Sequence, residues 1–544
     1  MKLKYLLPIA LLFSVFIDIQ ATDYYFYVQF KDKNNTPYSL SNPSVYLSQR
    51  ALERRTFFNV AIDSTDLPVN PNYISQISSL NIPIHCRTKW LNGVTVALSD
   101  SSLMSAVRLL SFVKFTQFTG KTNELGSLLP PKKTPTETNN TDYGSAASQI
   151  NQLNGAILHN SGYRGQGIQI AVIDVGFQNV NINPGFDSLR NEGRLLGTKD
   201  FVNPQSNIFT EGSHGAHVLS TMAGNIPNIF VGTAPKASYW LLRSEADNTE
   251  NLCEPDFWVS AIEFADSVGV DLSTTSLGYT EFNIPSMNYT YADMNGKVAR
   301  ASIAATLAVD KGIMVLNSAG NDGYYTWHYI GVPADADKII TVGSVTNTGI
   351  ASTFSSFGPS FDGRIKPELC ATGTNSALIS PYGSATYGSG TSYACPILAG
   401  MTACFLQAAK EKKPTLSLSS IKDLLFQSGS LYNNPTTQMG YGIPDFQTAL
   451  SKLIGLATVK NQSDDAIAVY VNVNANKGRI TVCINTEDVK AGQASLYSAS
   501  GKLVNIKLFN NPDFSMDIRN LPKGVYMLRL NFDAGVITKK VMIL

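Results

Sequence analysis

The sequence predicts an α/β fold: a parallel sheet with helices on both faces, preceded by a small α+β unit and followed by a β-sandwich. Three observations carry this. Between residues 143 and 455 helical stretches lead into short strands of apolar or small residues: Ala146 to Gly162 into IQIAVID (Ile168 to Asp174), Asp256 to Gly269 into VDLSTTSL, and Ala301 to Gly312 into IMVLNSA. Strands without a polar face are buried on both faces, as a parallel sheet requires. Residues 22–125 mix strand-like YYFYVQF and GVTVALS with helix-like stretches around Val45 to Arg55, Tyr73 to Leu80 and in SSLMSAVRLL, the pattern of a small α+β unit. From residue 459 to 544 the chain alternates, in AVYVNVN, RITVCIN and ASLYSASGKLV, with Asn, Gly and Ser between strands, which predicts a sandwich. Residues 126–142 include SLLPPKKTPTETNNT, a polar, proline-rich linker open to proteolytic nicking.

Composition narrows the function. A chain of 544 residues holds several domains, and 44% apolar with 15% charged residues is globular. A net charge of +1 without a basic stripe excludes nucleic acid as the expected partner. Residues 1–21 read as a signal peptide: Lys2 and Lys4, an apolar Leu6 to Ile17 too short to span a bilayer comfortably, and Ala21 before the cut. Six cysteines make no disulfide framework. Cys370, Cys395 and Cys404 fall in one region, where either a single bridge or buried free thiols fit.

The chemistry starts from GSGTSYACP, Gly388 to Pro396. Ser392 there either caps a helix or attacks from its start. A serine hydroxyl needs a base, and the base needs an orienting group. Of five histidines, His85 lies in the first unit and His159 and His328 in polar surroundings. His214 and His217 stand together in GSHGAHV, opening a helix; a metal pair would need a third ligand, and none has a matching spacing. Asp174 closes the strand IQIAVID, where an orienting carboxylate belongs. Asn321, after glycine in VLNSAGND, offers an amide at another strand end, the kind of donor an oxyanion requires.

Taken in order, IAVIDVG, SHGAHV, SAGN and GTSYACP resemble the subtilisin-like serine proteases, supported by GTAPKA, TSLG, FSSFGP and KPEL. The resemblance spans about Gln149 to Leu450. It implies that Asp174 orients His214, that His214 is the base for Ser392, and that Asn321 with the Ser392 amide forms the oxyanion hole. Ser276, Leu277 and Gly278 resemble the edge that binds substrate backbone as an added strand, and His217 matches a structural histidine. Val175, Ala216 and Tyr393 depart from the usual residues without removing a reacting group. No cofactor is required; the family allows calcium, whose ligands the sequence does not place.

The flanks carry resemblances of their own. SVYLSQRALERR and DLPVNP are similar to leader regions of subtilases from Bacteroidetes, which implies a propeptide that assists folding and blocks the cleft; an independent binding domain is the alternative. SLYSASGKLV, DIRNLPKGVYMLRL and TKKVMIL resemble the type IX secretion sorting domain, with a carbohydrate-binding sandwich as the alternative; Tyr470, Tyr497 and Tyr526 are expected in its core. The expected partners are protein or peptide substrates, the chain's own propeptide and the type IX machinery, and the expected location is secreted or at the outer-membrane surface. A catalytically degenerate surface binding module and a transpeptidase on the same fold are the competing functions.

Overall fold

The computed structural model describes residues 23–122, 143–247, 249–455, 468–474, 478–485, 491–511, 513–532 and 535–543. The expected signal segment and linker lie outside them. The chain divides into two units, Met1–Ile454 and Gly455–Leu544.

In the first unit a seven-stranded sheet runs in the order Leu369–Thr372, Ile340–Val345, Met314–Ser318, Leu272–Thr275, Gln169–Asp174, Ser238–Arg243, Leu195–Asp200. All its pairs are parallel. The first of these strands in the chain, Gln169–Asp174, sits inside the sheet. Those next in sequence lie to one side of it and the later ones to the other, so the strand order reverses there. Ligands of open α/β sheets bind in the crevice such a reversal leaves at the carboxyl ends.

Alternating residues explain the two helical layers. Ile170 and Val172 join one core with the helices His214–Ala223 and Thr391–Lys412. Ala171 and Ile173 join another with Glu254–Val268 and Arg300–Asp310. The period of two along the strand thus feeds both faces.

Two predicted helices end differently. Ala146 to Gly162 is two helices, Ala147–Gln152 and Ala156–Asn160, because Asn154 takes a φ of 49° between them. The stretch from Val45 to Arg55 becomes a 3-10 turn, Pro43–Val45, and a helix, Gln49–Phe57, restarted by Ser48, whose hydroxyl caps the Ala51 amide at 3.1 Å.

The N-terminal part is a four-stranded antiparallel sheet, Ile84–Thr88, Gly93–Leu98, Tyr24–Phe30, Val113–Lys121 in spatial order. It meets Glu254–Val268 through buried charges. Thr88 Oγ1, Lys89 N and Trp90 N donate to the Glu263 carboxylate at 2.5, 2.7 and 3.0 Å. Asp266 accepts from Arg54, Arg55 and Lys89 at 2.5, 2.7 and 2.8 Å.

The second unit packs a three-stranded sheet (Ala468–Asn474, Arg479–Asn485, Asp513–Asp517) on a four-stranded one (Leu503–Phe509, Gly492–Ser498, Gly524–Phe532, Gly535–Ile543). Ile480, Val482 and Met516 from the first meet Leu496, Leu528 and Val541 from the second, which makes it a sandwich. Tyr526 is in that core, Tyr497 is half-buried, and the Tyr470 side chain lies outside those described.

Candidate active site

Asp174 ends the interior strand and is 0% exposed. Its Oδ1 accepts from the Val175 amide at 2.9 Å and lies 2.7 Å from Nδ1 of His214. Gly215 makes this approach possible. A Cβ there would lie 2.4 Å from the Gly176 oxygen and 2.9 Å from Asp174 Cβ, so a larger residue would push the helix carrying His214 off the strand carrying Asp174. Because Nδ1 donates to the carboxylate, Nε2 is left as the acceptor nitrogen. The ring is 32% exposed. Burial works against its charged form, but the charge and hydrogen bond of Asp174, with Asp247 adding, outweigh it and hold His214 above its ordinary pKa. His217, pushed down to about 4 by burial and by the His214 charge, takes no part in this contact.

Ser392 is the second residue of Thr391–Lys412 and 8% exposed. Pro396, four residues on, has no N–H to bond its carbonyl. Ser276 Oγ donates to that carbonyl instead, at 2.8 Å, and Ser392 Oγ donates back to the Ser276 oxygen at 3.5 Å. Among the described residues Ser392 Oγ makes no hydrogen bond to His214, although the two helices pack together and the Tyr393 ring stands 6.1 Å from the His214 ring. Unliganded sites often hold this bond open until substrate seats.

Asn321 follows Gly320, whose φ of 108° suits glycine. Asn321 Oδ1 accepts from the Thr391 amide at 2.9 Å and from Thr391 Oγ1 at 3.1 Å. With its oxygen committed to two donors, the side chain presents its NH2 the other way. A Cβ on Gly390 would lie 3.8 Å from both Asn321 Oδ1 and Ser392 Cβ, so the two residues border one space. The Ser392 amide, in the first turn, has no intrahelical acceptor.

Ser276–Gly278 continues past the strand Leu272–Thr275, with Ser276 and Leu277 buried and Gly278 exposed. The fold therefore brings Asp174 and His214 into contact and sets Ser392, Asn321 and Ser276 around one strand end. The sequence did not single out Asp247, Pro396 or the Ser276 hydroxyl as parts of the site. Asp247 belongs to no motif and reaches the site only through the fold; a Cβ on Gly212, two residues before His214, would touch its carboxylate at 2.7 Å.

His159 is buried rather than in polar surroundings, held by the Thr233 carbonyl at 3.0 Å and the Tyr143 hydroxyl at 3.1 Å. Cys370, Cys395 and Cys404 are buried free thiols, as are Cys86 and Cys253. Among the described residues no three His, Cys, Asp or Glu side chains are grouped so as to hold a metal, and no calcium site is assigned.

A strand-end aspartate bound to a histidine, beside a serine at a helix start, defines a class of serine hydrolase on a parallel α/β sheet. Residues 165–442 match the model of the subtilase family, residues 25–139 that of the peptidase S8 propeptide domain of Bacteroidota, and residues 474–544 that of a secretion system C-terminal sorting domain. Curated relatives include subtilisin NAT of Bacillus subtilis subsp. natto, 30% identical over 305 residues, 55% of this chain and 70% of that protein. Subtilisin of Bacillus pumilus is 30% identical over 55% of this chain and 97% of its own, and subtilisin DY of Bacillus licheniformis 32% over 48% and 84%. Two structures of the epidermin leader peptide processing serine protease of Staphylococcus aureus share the fold, at TM-scores of 0.53 and 0.52, 18% and 19% identity, over 79% and 81% of this chain and 99% and 100% of theirs.

The chain belongs to the subtilase family and is a subtilisin-like serine peptidase with its own propeptide domain. Its type IX sorting domain marks it for secretion or the cell surface.

Proposed function

We propose that the chain is the precursor of a secreted endopeptidase that hydrolyses protein or peptide substrates through Asp174, His214, Ser392 and an acyl-enzyme. In this reading residues 1–21 are the signal, 22–125 a propeptide that inhibits its own catalytic domain, 126–142 the linker cut at maturation, 143–455 the catalytic domain and 459–544 the sorting domain. The observation that carries it is the 2.7 Å contact between His214 Nδ1 and the buried Asp174 carboxylate, which leaves Nε2 as the base.

Substrate backbone pairs with Ser276–Gly278 as an added strand. Ser392 Oγ gives its proton to His214 Nε2 and bonds to the carbonyl carbon, while Asn321 Nδ2 and the Ser392 amide receive the oxyanion. The C–N bond then breaks, the amine takes the proton from His214, and the acyl-enzyme remains. Water attacks by the same route, losing a proton to His214, and the acid and free Ser392 are released.

The test is fluorophosphonate labelling of the matured protein beside a Ser392→Ala control. Labelling of the wild type alone is expected. An unlabelled wild type with the propeptide shown to be gone would instead indicate the degenerate binding module.

A further inference from the structure

One cavity in the catalytic part takes no part in the proposed reaction. It holds about 180 Å³, and Tyr143, Asn160, Arg164, Asn225, Pro235 and Lys236 are among the residues that line it. Arg164 and Lys236 precede the strands Gln169–Asp174 and Ser238–Arg243, so the cavity lies toward the amino ends of the sheet, away from the end where Asp174 stands. The two cationic residues are held side by side, because the Lys236 amide donates to the Arg164 carbonyl at 3.0 Å. Gly165 permits that approach: a Cβ there would lie 2.9 Å from Ala237 Cβ.

No acidic residue lines the cavity. Among the described residues the Arg164 guanidinium has no hydrogen-bond or ion-pair partner, and the side-chain amides of Asn160 and Asn225 have none either. Lys236 pairs with Glu192 at 2.5 Å, but that carboxylate also accepts from Arg194 at 3.0 Å, so one acid stands against three cations. The charge of Arg164 is felt inward as well. His159 Nε2 donates to the Thr233 carbonyl at 3.0 Å and Nδ1 accepts from the Tyr143 hydroxyl at 3.1 Å, the pattern of a neutral ring. Burial, with the Arg164 charge adding to it, pushes that ring down to about 4. A concave wall of one sign concentrates counter-ions. A guanidinium fork beside an ammonium and two amides suits an oxyanion. A carboxylate offers two oxygens in one plane. Four donors from separate parts of the chain are better met by a tetrahedral ion, which offers four.

The cavity also touches the beginning of the catalytic part. Tyr143 directly follows the expected linker, residues 126–142. Its carbonyl accepts from the Val231 amide at 3.2 Å, and Ser145 donates from N and Oγ to the Ile229 carbonyl at 2.9 and 3.1 Å. These bonds tie the segment to the hairpin of Asn225–Ile226 and Phe230–Val231, and Asn225 and Val231 themselves line the cavity.

We propose that this cavity binds a small tetrahedral oxyanion of the phosphate or sulfate class. Arg164 and Lys236 hold it between them with the amides of Asn160 and Asn225, and the bound ion braces the hairpin to which the segment after the linker is tied.

The experiment uses the purified full chain and inorganic phosphate, with chloride at matched ionic strength as the reference. Hydrogen exchange is read at the Ser145 and Val231 amides, whose bonds join the segment to the hairpin. Phosphate is expected to slow both saturably, by about tenfold at ten times the half-saturating concentration. Arg164→Gln and Lys236→Gln are each expected to raise that concentration about 10- to 100-fold, the range of a lost charge-assisted hydrogen bond. Because the Arg164 side chain has no partner of its own, Arg164→Gln is expected to melt in chloride at the wild-type temperature; should it fail to fold, Lys236→Gln carries the same test. Equal exchange of the wild type in phosphate and chloride would overturn the site. So would protection by phosphate that rises without saturating, or that persists in the double variant, since either would be a general salt effect.

Discussion

His214 is the residue on which the pH response turns. In the proposed reaction it must be neutral to accept the serine proton, and Asp174 holds it above the ordinary value of 6.5. The sign follows directly: kcat/KM falls as pH drops through a value above 6.5, not below it. Asp174→Asn removes the charge that raises the ring, so the acid limb moves to lower pH while the rate drops by about 10⁴. A pH–rate series on both proteins reads the two effects separately; a limb that stays in place in the variant would contradict the assignment. Asn321→Ala removes the donor proposed to engage only the oxyanion, so kcat is expected to fall about 10²- to 10³-fold with KM little changed. At this scale the groups proposed to react were legible in the sequence, because Asp174, His214, Asn321 and Ser392 each sit in a short motif at a strand end or helix start. It could not name Asp247, whose charge reaches His214 only because the fold brings its loop to the site.

The helix Thr391–Lys412 shows the same division between local and distant causes. That a helix starts at Ser392 was legible in the sequence, and Pro396 closes the motif quoted there. What the motif does not reveal is that the carbonyl released by Pro396 is the Ser392 carbonyl, taken up by a hydroxyl 116 residues away. Ser276→Ala strands that carbonyl and is expected to destabilise the catalytic domain by about 1–3 kcal/mol in denaturant unfolding. Pro396→Ala supplies an amide in the helical position, so in that background the cost of Ser276→Ala should shrink. A double-mutant cycle with no coupling would separate the two features. Elements were placed well where periodicity was strong, as in the sheet strands. The break at Asn154 was missed because one left-handed residue leaves the helical pattern around it intact.

Across the whole first unit, the contact between the N-terminal sheet and the catalytic helices is built from buried charges. Asp266→Asn removes the negative partner of Arg54, Arg55 and Lys89, and is expected to weaken docking by about 3–5 kcal/mol, seen as earlier release of the N-terminal part. Two groups oppose each other with pH. Burial, despite Lys89 nearby, pushes Glu263 up to about 7, so its contribution to docking is present below its ordinary value of 4.5 and fades as pH rises through 7. Asp266 lies below its ordinary 3.8, since Lys89, Arg54 and Arg55 overcome its burial; its contribution is present above that value and fades as pH falls further. Release should therefore be slowest at about pH 4–5 and faster on either side. A single trend across that range would show that one group alone governs it. None of this was legible in sequence, where Glu263 and Asp266 read as ordinary members of a helix.

The buried thiols give the molecule an internal stopwatch. Cys370, Cys395 and Cys404 lie in the catalytic core, where burial pushes the first two up to about 12, so a reagent that attacks thiolate can reach them only when the core opens. Cys253 is different: Cys86 and Tyr25 of the N-terminal part lie against it. Its alkylation should begin when that part departs, well before the core cysteines react. One mass-spectrometric time course would then record activation and unfolding as separate events on the same chain.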